Sequence, residues 1–449
     1  MASFPRIDSV LGLMGHASND KEPSFAALDI LSHEISKAVK AHKRATVAGE
    51  LPTKHLKSIT DAATQLANVT RDPEEQWNEY AVTVSIASLL LPLLSMWGTD
   101  MMIQMAQVAA IRCYMEWEVF DMLPSHCSIC YESIAKDLDA DLAVITRLAG
   151  ILVASGILQQ IGTDSIAHTA RSRIFAGRRP AGQLFQLICD EAITPGAHLH
   201  EYFKKHGIRE PSSATLNPHT FAHGREGTPY FDIILGDPAR RDVFMLGMSK
   251  LQEAVPITNL YDFSWLVEKS KRDRYSPLLV DVGGGKGFAL GAILKDYPGL
   301  DQSRCVLQDM DPIIAQAMEE HTGQSELQGI RLVPHDFFGE QNVKDAYVYH
   351  IRRCLHDWSD EKCVQIPCHL RDALRPGGRI LICEQILTNP PSRLTAQLDL
   401  CMMNLGGKER TPQQFRTLAA AAGLFVMAIH QPKGSDIGVV ECVKRSGTR

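Results

Sequence analysis

"LLVDVGGGKGFALGAIL", residues 278–294, holds the architecture of this chain in the order of its residues. An apolar run of strand character leads into Asp281-x-Gly283-x-Gly285-x-Gly287, and apolar residues at helical spacing follow. Glycine suits such a turn because it accepts unusual dihedral angles and leaves no side chain between backbone and ligand. Two familiar readings fail. A Gly-x-Gly-x-x-Gly fingerprint would need glycine where Phe288 or Leu290 stands, and a phosphate loop would need a Gly-Lys-Ser/Thr that does not follow.

Outward from this turn, β-prone runs at 278–282, 304–308, 330–334, 346–351, 379–385, 424–431 and 437–444 alternate with helical sequence. Seven strands with helices between them predict an α/β domain, an open, largely parallel, doubly wound sheet that binds ligands at the carboxyl ends of its strands. The strand ends carry suitable groups. An acid before a triple-glycine turn is a pattern of enzymes that bind S-adenosylmethionine: Asp281 would hold a cationic amino group while Gly283, Gly285 and Gly287 accommodate the methionine moiety. "CVLQDMDP" ends in Asp309, whose carboxylate can accept both ribose hydroxyls, with Asp311 as a rival that also suits a helix cap ahead of Pro312. "VPHDFF" offers Asp336 to the amino group of adenine and Phe337 to its ring.

The whole chain has 449 residues, beyond the roughly 250 to 300 at which one core stops growing, so two or more domains are expected. With 45% hydrophobic and 22% charged residues it reads as globular, and a net charge of −6 argues against nucleic acid as a partner. The eleven cysteines include one close pair, Cys127 and Cys130, with no second pair or histidine couple to complete a zinc site, so no metal is expected. An odd cysteine count and no secretory pattern at Met1 point to the cytoplasm. "AVTVSIASLLLPLLSMW", 81–97, is barely long enough for a span, contains Pro92 and lacks flanking cations, so a buried or dimer-forming helix is expected rather than a membrane segment.

Helical spacing at 25–47 and 55–69 makes 1–100 a helical arm. Between 101 and 173, short helices and a probable hairpin resemble a winged helix, whose recognition helix at 142–155 would carry only one cation, Arg147, which disfavours DNA. Polar, proline-containing sequence at 205–229 reads as a long surface loop, helical signal fills 231–266, and the charged "EKSKRDRYSP" marks a boundary. Three segments are therefore expected: 1–100, a helical dimerisation arm; 101–265, a winged-helix and substrate-lid region; and 266–449, the cofactor-binding domain.

Taken in order, "LLVDVGGGKG", "QDMDP", "LHDWSDEKC", "CEQIL" and "GGKERT" resemble the small-molecule O-methyltransferases of plants and fungi, nearest to the fungal secondary-metabolism branch. The resemblance is strong over 231–444, weaker over the winged-helix region, and limited to helical character over 1–100. It implies a C-terminal Rossmann-like methyltransferase domain, a mostly α-helical winged-helix dimerisation domain, a homodimer, S-adenosylmethionine as donor with S-adenosylhomocysteine as product, and a small aromatic acceptor. The chemistry requires a base, because a phenol of pKa near ~10 is mostly protonated at neutral pH, whereas imidazole titrates near ~6.5. The resemblance makes His356 that base, worth about 10² to 10⁴ in rate, with Glu384 and Glu409 as its orienting pair. Arg352 stands where plant relatives place a cofactor-contacting lysine, Phe244, Met248, Met403 and Asn404 at substrate-facing positions, and Asp357 where it would meet substrate or backbone. Trp358 would cover adenine or serve packing alone. A rival reading is a relative that keeps the cofactor but catalyses dehydration or pericyclic cyclisation; retention of His356, Glu384 and Glu409 favours methyl transfer.

Overall fold

A computed structural model describes residues 94–253, 257–320 and 327–445, with a few helical positions between 32 and 40. Apart from those positions the helix expected at 25–47, all of that at 55–69, and most of 81–97 lie outside the described residues. No described helix is long and apolar enough to cross a membrane.

Contacts divide the described chain into two units. The smaller includes 123–173, where helices Tyr131–Asp137 and Leu142–Ala154 are followed by a hairpin. Strands β1 (Ile129–Cys130), β2 (Leu158–Ile161) and β3 (Ser165–His168) form an antiparallel sheet in the order β1-β3-β2. Asp141 caps the second helix by accepting from the Ala143 N–H, and Ile145, Ala149 and Leu152 recur at helical spacing as its buried face. Arg147 is exposed on the opposite side.

The larger unit, 105–122 with 174 onward, holds a seven-stranded sheet: β4 (Leu279–Val282), β5 (Cys305–Asp309), β6 (Arg331–Pro334), β7 (Val348–Arg352), β8 (Arg379–Gln385), β9 (Leu424–His430) and β10 (Ile437–Lys444). Their order is β6-β5-β4-β7-β8-β10-β9, parallel through β8, with β10 antiparallel to both neighbours. Every strand expected from the sequence forms, within one or two residues at its ends. The central strands are buried on both faces and mostly apolar, with Asp281 in β4 and His350 in β7 as polar exceptions in mid-strand. Side chains alternate between two cores: Val280, Val282 and Val306 join one, Leu279, Cys305 and Leu307 the other.

The segment expected as a surface loop at 205–229 is different. It contains helix Pro218–Ala222, started by a capping box between Asn217 and Thr220, and Asn217, His219 and Thr220 are fully buried. Asn217 also donates to the Leu405 carbonyl. Polar composition misleads here because Asn217 and Thr220 satisfy backbone groups and His219 bonds the Glu191 carboxylate, none of them turning to water.

Candidate active site

β4 ends in the glycine turn. Gly283, Gly285 and Gly287 all have positive φ, and Gly287 sits at the start of helix Phe288–Asp296. At Gly283 a Cβ would lie 2.9 Å from the Cys354 Sγ and 3.3 Å from the Phe337 ring; at Gly285 it would meet open space. The turn is thus packed on one side and open on the other. Asp309, at the end of β5, accepts from the Gly285 N–H at 2.8 Å and from the Met310 N–H at 2.7 Å, which ties the turn to the next strand. Burial raises the Asp309 carboxyl above its ordinary pKa, against these two donors. Each oxygen still has a lone pair for a hydroxyl.

Asp281, expected to hold an amino group, lies under the glycine turn. It is 1% exposed, beneath the loop: Oδ1 bonds the His350 Nδ1 at 2.8 Å, and a Cβ on Gly284 would fall 2.5 Å from Oδ2. Oδ2 has no hydrogen-bond partner. His350 was not singled out in the sequence; β4 and β7 pair Asp281 with His350 in register, a parallel pairing that spacing alone does not specify. Burial opposes the charge on His350, but Asp281, followed by Cys383, outweighs it and raises the imidazole to about 9. Phe337 packs against the turn and Arg352 closes β7 one residue beyond the Val282–Ile351 pair. Asp336 is exposed and accepts from the Phe338 N–H. An open glycine cradle, an aromatic ring at its edge and a strand-end carboxylate suit a nucleoside ligand.

The second half of the site follows β7. Arg353 has φ of 53°, a left-handed conformation costly for a side chain with a Cβ, and turns the chain into the short helix Leu355–Asp357. Glu384, near the end of β8, accepts from the Cys354 and Leu355 N–H groups at 3.0 and 2.8 Å. Glu409 bonds the His356 Nδ1 at 2.8 Å, while the Glu384 Oε2 stands 3.8 Å from the same nitrogen. The two glutamates therefore differ: Glu409 orients the ring, and Glu384 holds the loop that carries it. The His356 Nε2 points toward Asp357, 3.6 Å away.

"GGKERT" makes this assembly possible. A Cβ on Gly407 would lie 2.1 Å from the His356 carbonyl oxygen, so only glycine lets this backbone pass, and the Lys408 N–H donates to that carbonyl at 2.8 Å. Arg410, 1% exposed, rivets the two loops through the carbonyls of Leu355 and Trp358 and the Asp360 carboxylate. No sequence signal singled it out.

Burial disfavours the charged imidazole, but Glu384, Asp357 and Glu409 overcome it and raise His356 to about 9. Burial likewise raises Glu384 and Asp357 above the usual carboxylate range, with His356 opposing in both.

Beside Asp357 a small cleft of about 120 Å³ is lined by Tyr230, Phe231, Trp358, Leu405 and neighbours. Trp358 packs against Phe231, Phe337 and Phe338, so it bridges the cleft and the cofactor side. Phe244 stands behind Phe231, with ring centroids 6.4 Å apart, and Met248 packs with it against Leu184 and Leu187. Met403 and Asn404 belong to helix Arg393–Leu405, and the Asn404 Oδ1 is buried without a partner.

Comparison with known proteins agrees with this geometry. The O-methyltransferase domain model matches residues 204–425. Methyltransferase cfoD of Aspergillus candidus is 36% identical over 396 residues, covering 86% of this chain and 92% of its own length. The chain belongs to the O-methyltransferase family. Methyltransferase pynC of Aspergillus niger is 38% identical over 344 residues, 76% of this chain and 94% of its own. OxaC, solved in complex with SAH and oxaline, has the same fold, with a TM-score of 0.72 at 22% identity over 94% of this chain and 99% of that one. Membership of this family makes S-adenosylmethionine the methyl donor of the enzyme.

Proposed function

We propose that the enzyme methylates a hydroxyl of a small aromatic secondary metabolite, with His356 as general base. One observation carries this reading: Glu409 engages Nδ1 and leaves Nε2 free to face Asp357 at the cleft. That arrangement fixes the tautomer, so the neutral ring presents a lone pair at Nε2 to the acceptor hydroxyl. Glu409 then steadies the imidazolium after proton transfer, and Glu384 keeps the loop in place through two backbone N–H groups. When bound, S-adenosylmethionine supplies an electrophilic methyl group on its sulfonium.

On this reading the open side of Gly283, Gly285 and Gly287 receives the methionine portion, with Asp281 bracing the turn from beneath. Asp309 takes the ribose hydroxyls, Asp336 and Phe337 meet adenine, and Arg352 contacts the donor from β7. Phe244, Met248, Met403, Asn404 and Asp357 border the acceptor. The helix pair and hairpin within 129–168 form the winged-helix module; with the N-terminal arm they join two copies of the chain, and 101–265 contributes the acceptor lid.

The test is titration calorimetry with S-adenosylmethionine and S-adenosylhomocysteine, followed by an acceptor screen read by mass spectrometry. A gain of one methyl group by wild type, lost in His356→Ala with cofactor binding intact, supports the base. Product formation without mass gain contradicts methyl transfer and favours cyclisation.

A further inference from the structure

His350 touches neither the acceptor cleft nor the base, yet it stands in the middle of β7 with Asp281 opposite it in β4. Both are buried, and the in-register pairing of the two strands brings the His350 Nδ1 within 2.8 Å of the Asp281 Oδ1. Among the described residues, His350 is the one hydrogen-bond partner of the Asp281 carboxyl. A buried ion pair seldom stabilises a fold more than packed apolar side chains of similar volume would, so stability alone does not account for it.

The other oxygen does. Oδ2 has no partner, and Gly284 passes directly over it: a Cβ there would fall 2.5 Å from Oδ2 and 2.5 Å from the Leu307 side chain. The Gly284 N–H donates to the Gln308 carbonyl at 3.0 Å, so the turn is tied to β5 on one side and rests on the Asp281 carboxyl beneath. A turn of that carboxyl would press on the Gly284 backbone, and the bond to His350 fixes its angle. The next residue is held separately, because the Gly285 N–H donates to Asp309, whose other oxygen accepts from the Met310 N–H. Of the two carboxylates, Asp281 alone takes its orientation from a side chain on another strand.

We propose that His350 is a positioning residue for the methyl donor: by holding the Asp281 carboxyl in one orientation under Gly284, it keeps the open side of the glycine turn shaped for the methionine portion. The proposal rests on the reading that this portion lies over Gly283, Gly285 and Gly287. Asp309, which takes the ribose on the same reading, is held by backbone N–H groups and does not depend on His350. Loss of the imidazole should therefore be felt at one end of the donor only.

Calorimetry with S-adenosylhomocysteine and with methylthioadenosine, which keeps the nucleoside and sulfur but lacks the amino-acid end, separates the two ends. In His350→Leu, and in His350→Phe, which is closer in shape, affinity for S-adenosylhomocysteine should fall about tenfold while that for methylthioadenosine stays within about twofold. His350→Asn retains an N–H for the Asp281 carboxyl and should recover most of the loss. Asp281→Asn should weaken S-adenosylhomocysteine similarly, and adding His350→Leu to it should cost nothing further, because the imidazole acts through that carboxyl. Equal loss of both compounds, loss of neither, no recovery in His350→Asn, or additive losses in the double variant overturns the proposal. Equal affinity of wild type for the two compounds would instead strike the placement of the methionine portion on the turn.

Discussion

The two loops of the site are held in opposite ways. The cofactor loop is shaped by missing side chains: positive φ values, a Gly283 with no room for a Cβ, and a single carboxylate from the neighbouring strand. The base loop is held by charge brought from elsewhere: Glu384 from β8, and Glu409 and Arg410 from the segment after helix Arg393–Leu405. A turn defined by its own residues can be read locally. A histidine held by distant carboxylates cannot, because its surroundings are set by strand order.

This difference predicts that damage should divide cleanly between rate and cofactor affinity. The largest effect is expected from His356→Ala, a fall of about 10² to 10⁴ in kcat with S-adenosylhomocysteine affinity unchanged by calorimetry. Parallel loss of cofactor binding would show that the loops are not separable.

Next come the glycines. Gly407→Ala pushes a methyl group into the His356 carbonyl and should cost about 1 to 3 kcal/mol of catalysis, with kcat falling and cofactor affinity held. Gly284→Ala pushes into the Asp281 carboxylate and the Leu307 side chain, so its cost, of the same order, should appear in cofactor affinity. Reversed phenotypes would break the comparison.

A smaller effect should appear in the pH profile. His356 rests near 9 and is therefore mostly imidazolium at neutral pH, so kcat/KM should climb with pH toward about 9 as the base is released. Glu409→Gln removes an anion that favours the imidazolium; the limb should move to lower pH, while maximal kcat falls because the tautomer is no longer held. A limb that stays in place would mean that another group titrates.

The smallest effect concerns stability. His350 and His356 both have folded pKa values of about 9, above an unfolded value near ~6.5. Their stabilising contribution is full below the unfolded value and is lost as pH rises through about 9. Melting temperature should therefore decline across that interval, and less steeply in His350→Gln.

Much of this protein was legible in its residues. Apolar runs, glycine spacing and turn chemistry identified all seven strands of the large sheet, because β-structure buried on both faces writes itself as short apolar segments. The same residues pointed to His356, Glu384 and Glu409 through a family resemblance, but not to their unequal duties. The buried polar segment around His219 read as a surface loop, since composition does not reveal where hydrogen bonds end.

By itself, then, the sequence determined the short apolar strands, the glycine turn and the chemical types at the strand ends, all of them properties of local sequence. Only the tertiary structure decided that Asp281 pairs with His350 under the cofactor loop, that Glu409 reaches across 53 residues to His356, and that Arg410 ties their loops together. Those contacts depend on which strands lie side by side and which backbones can approach, and both emerge only when the whole sheet is packed.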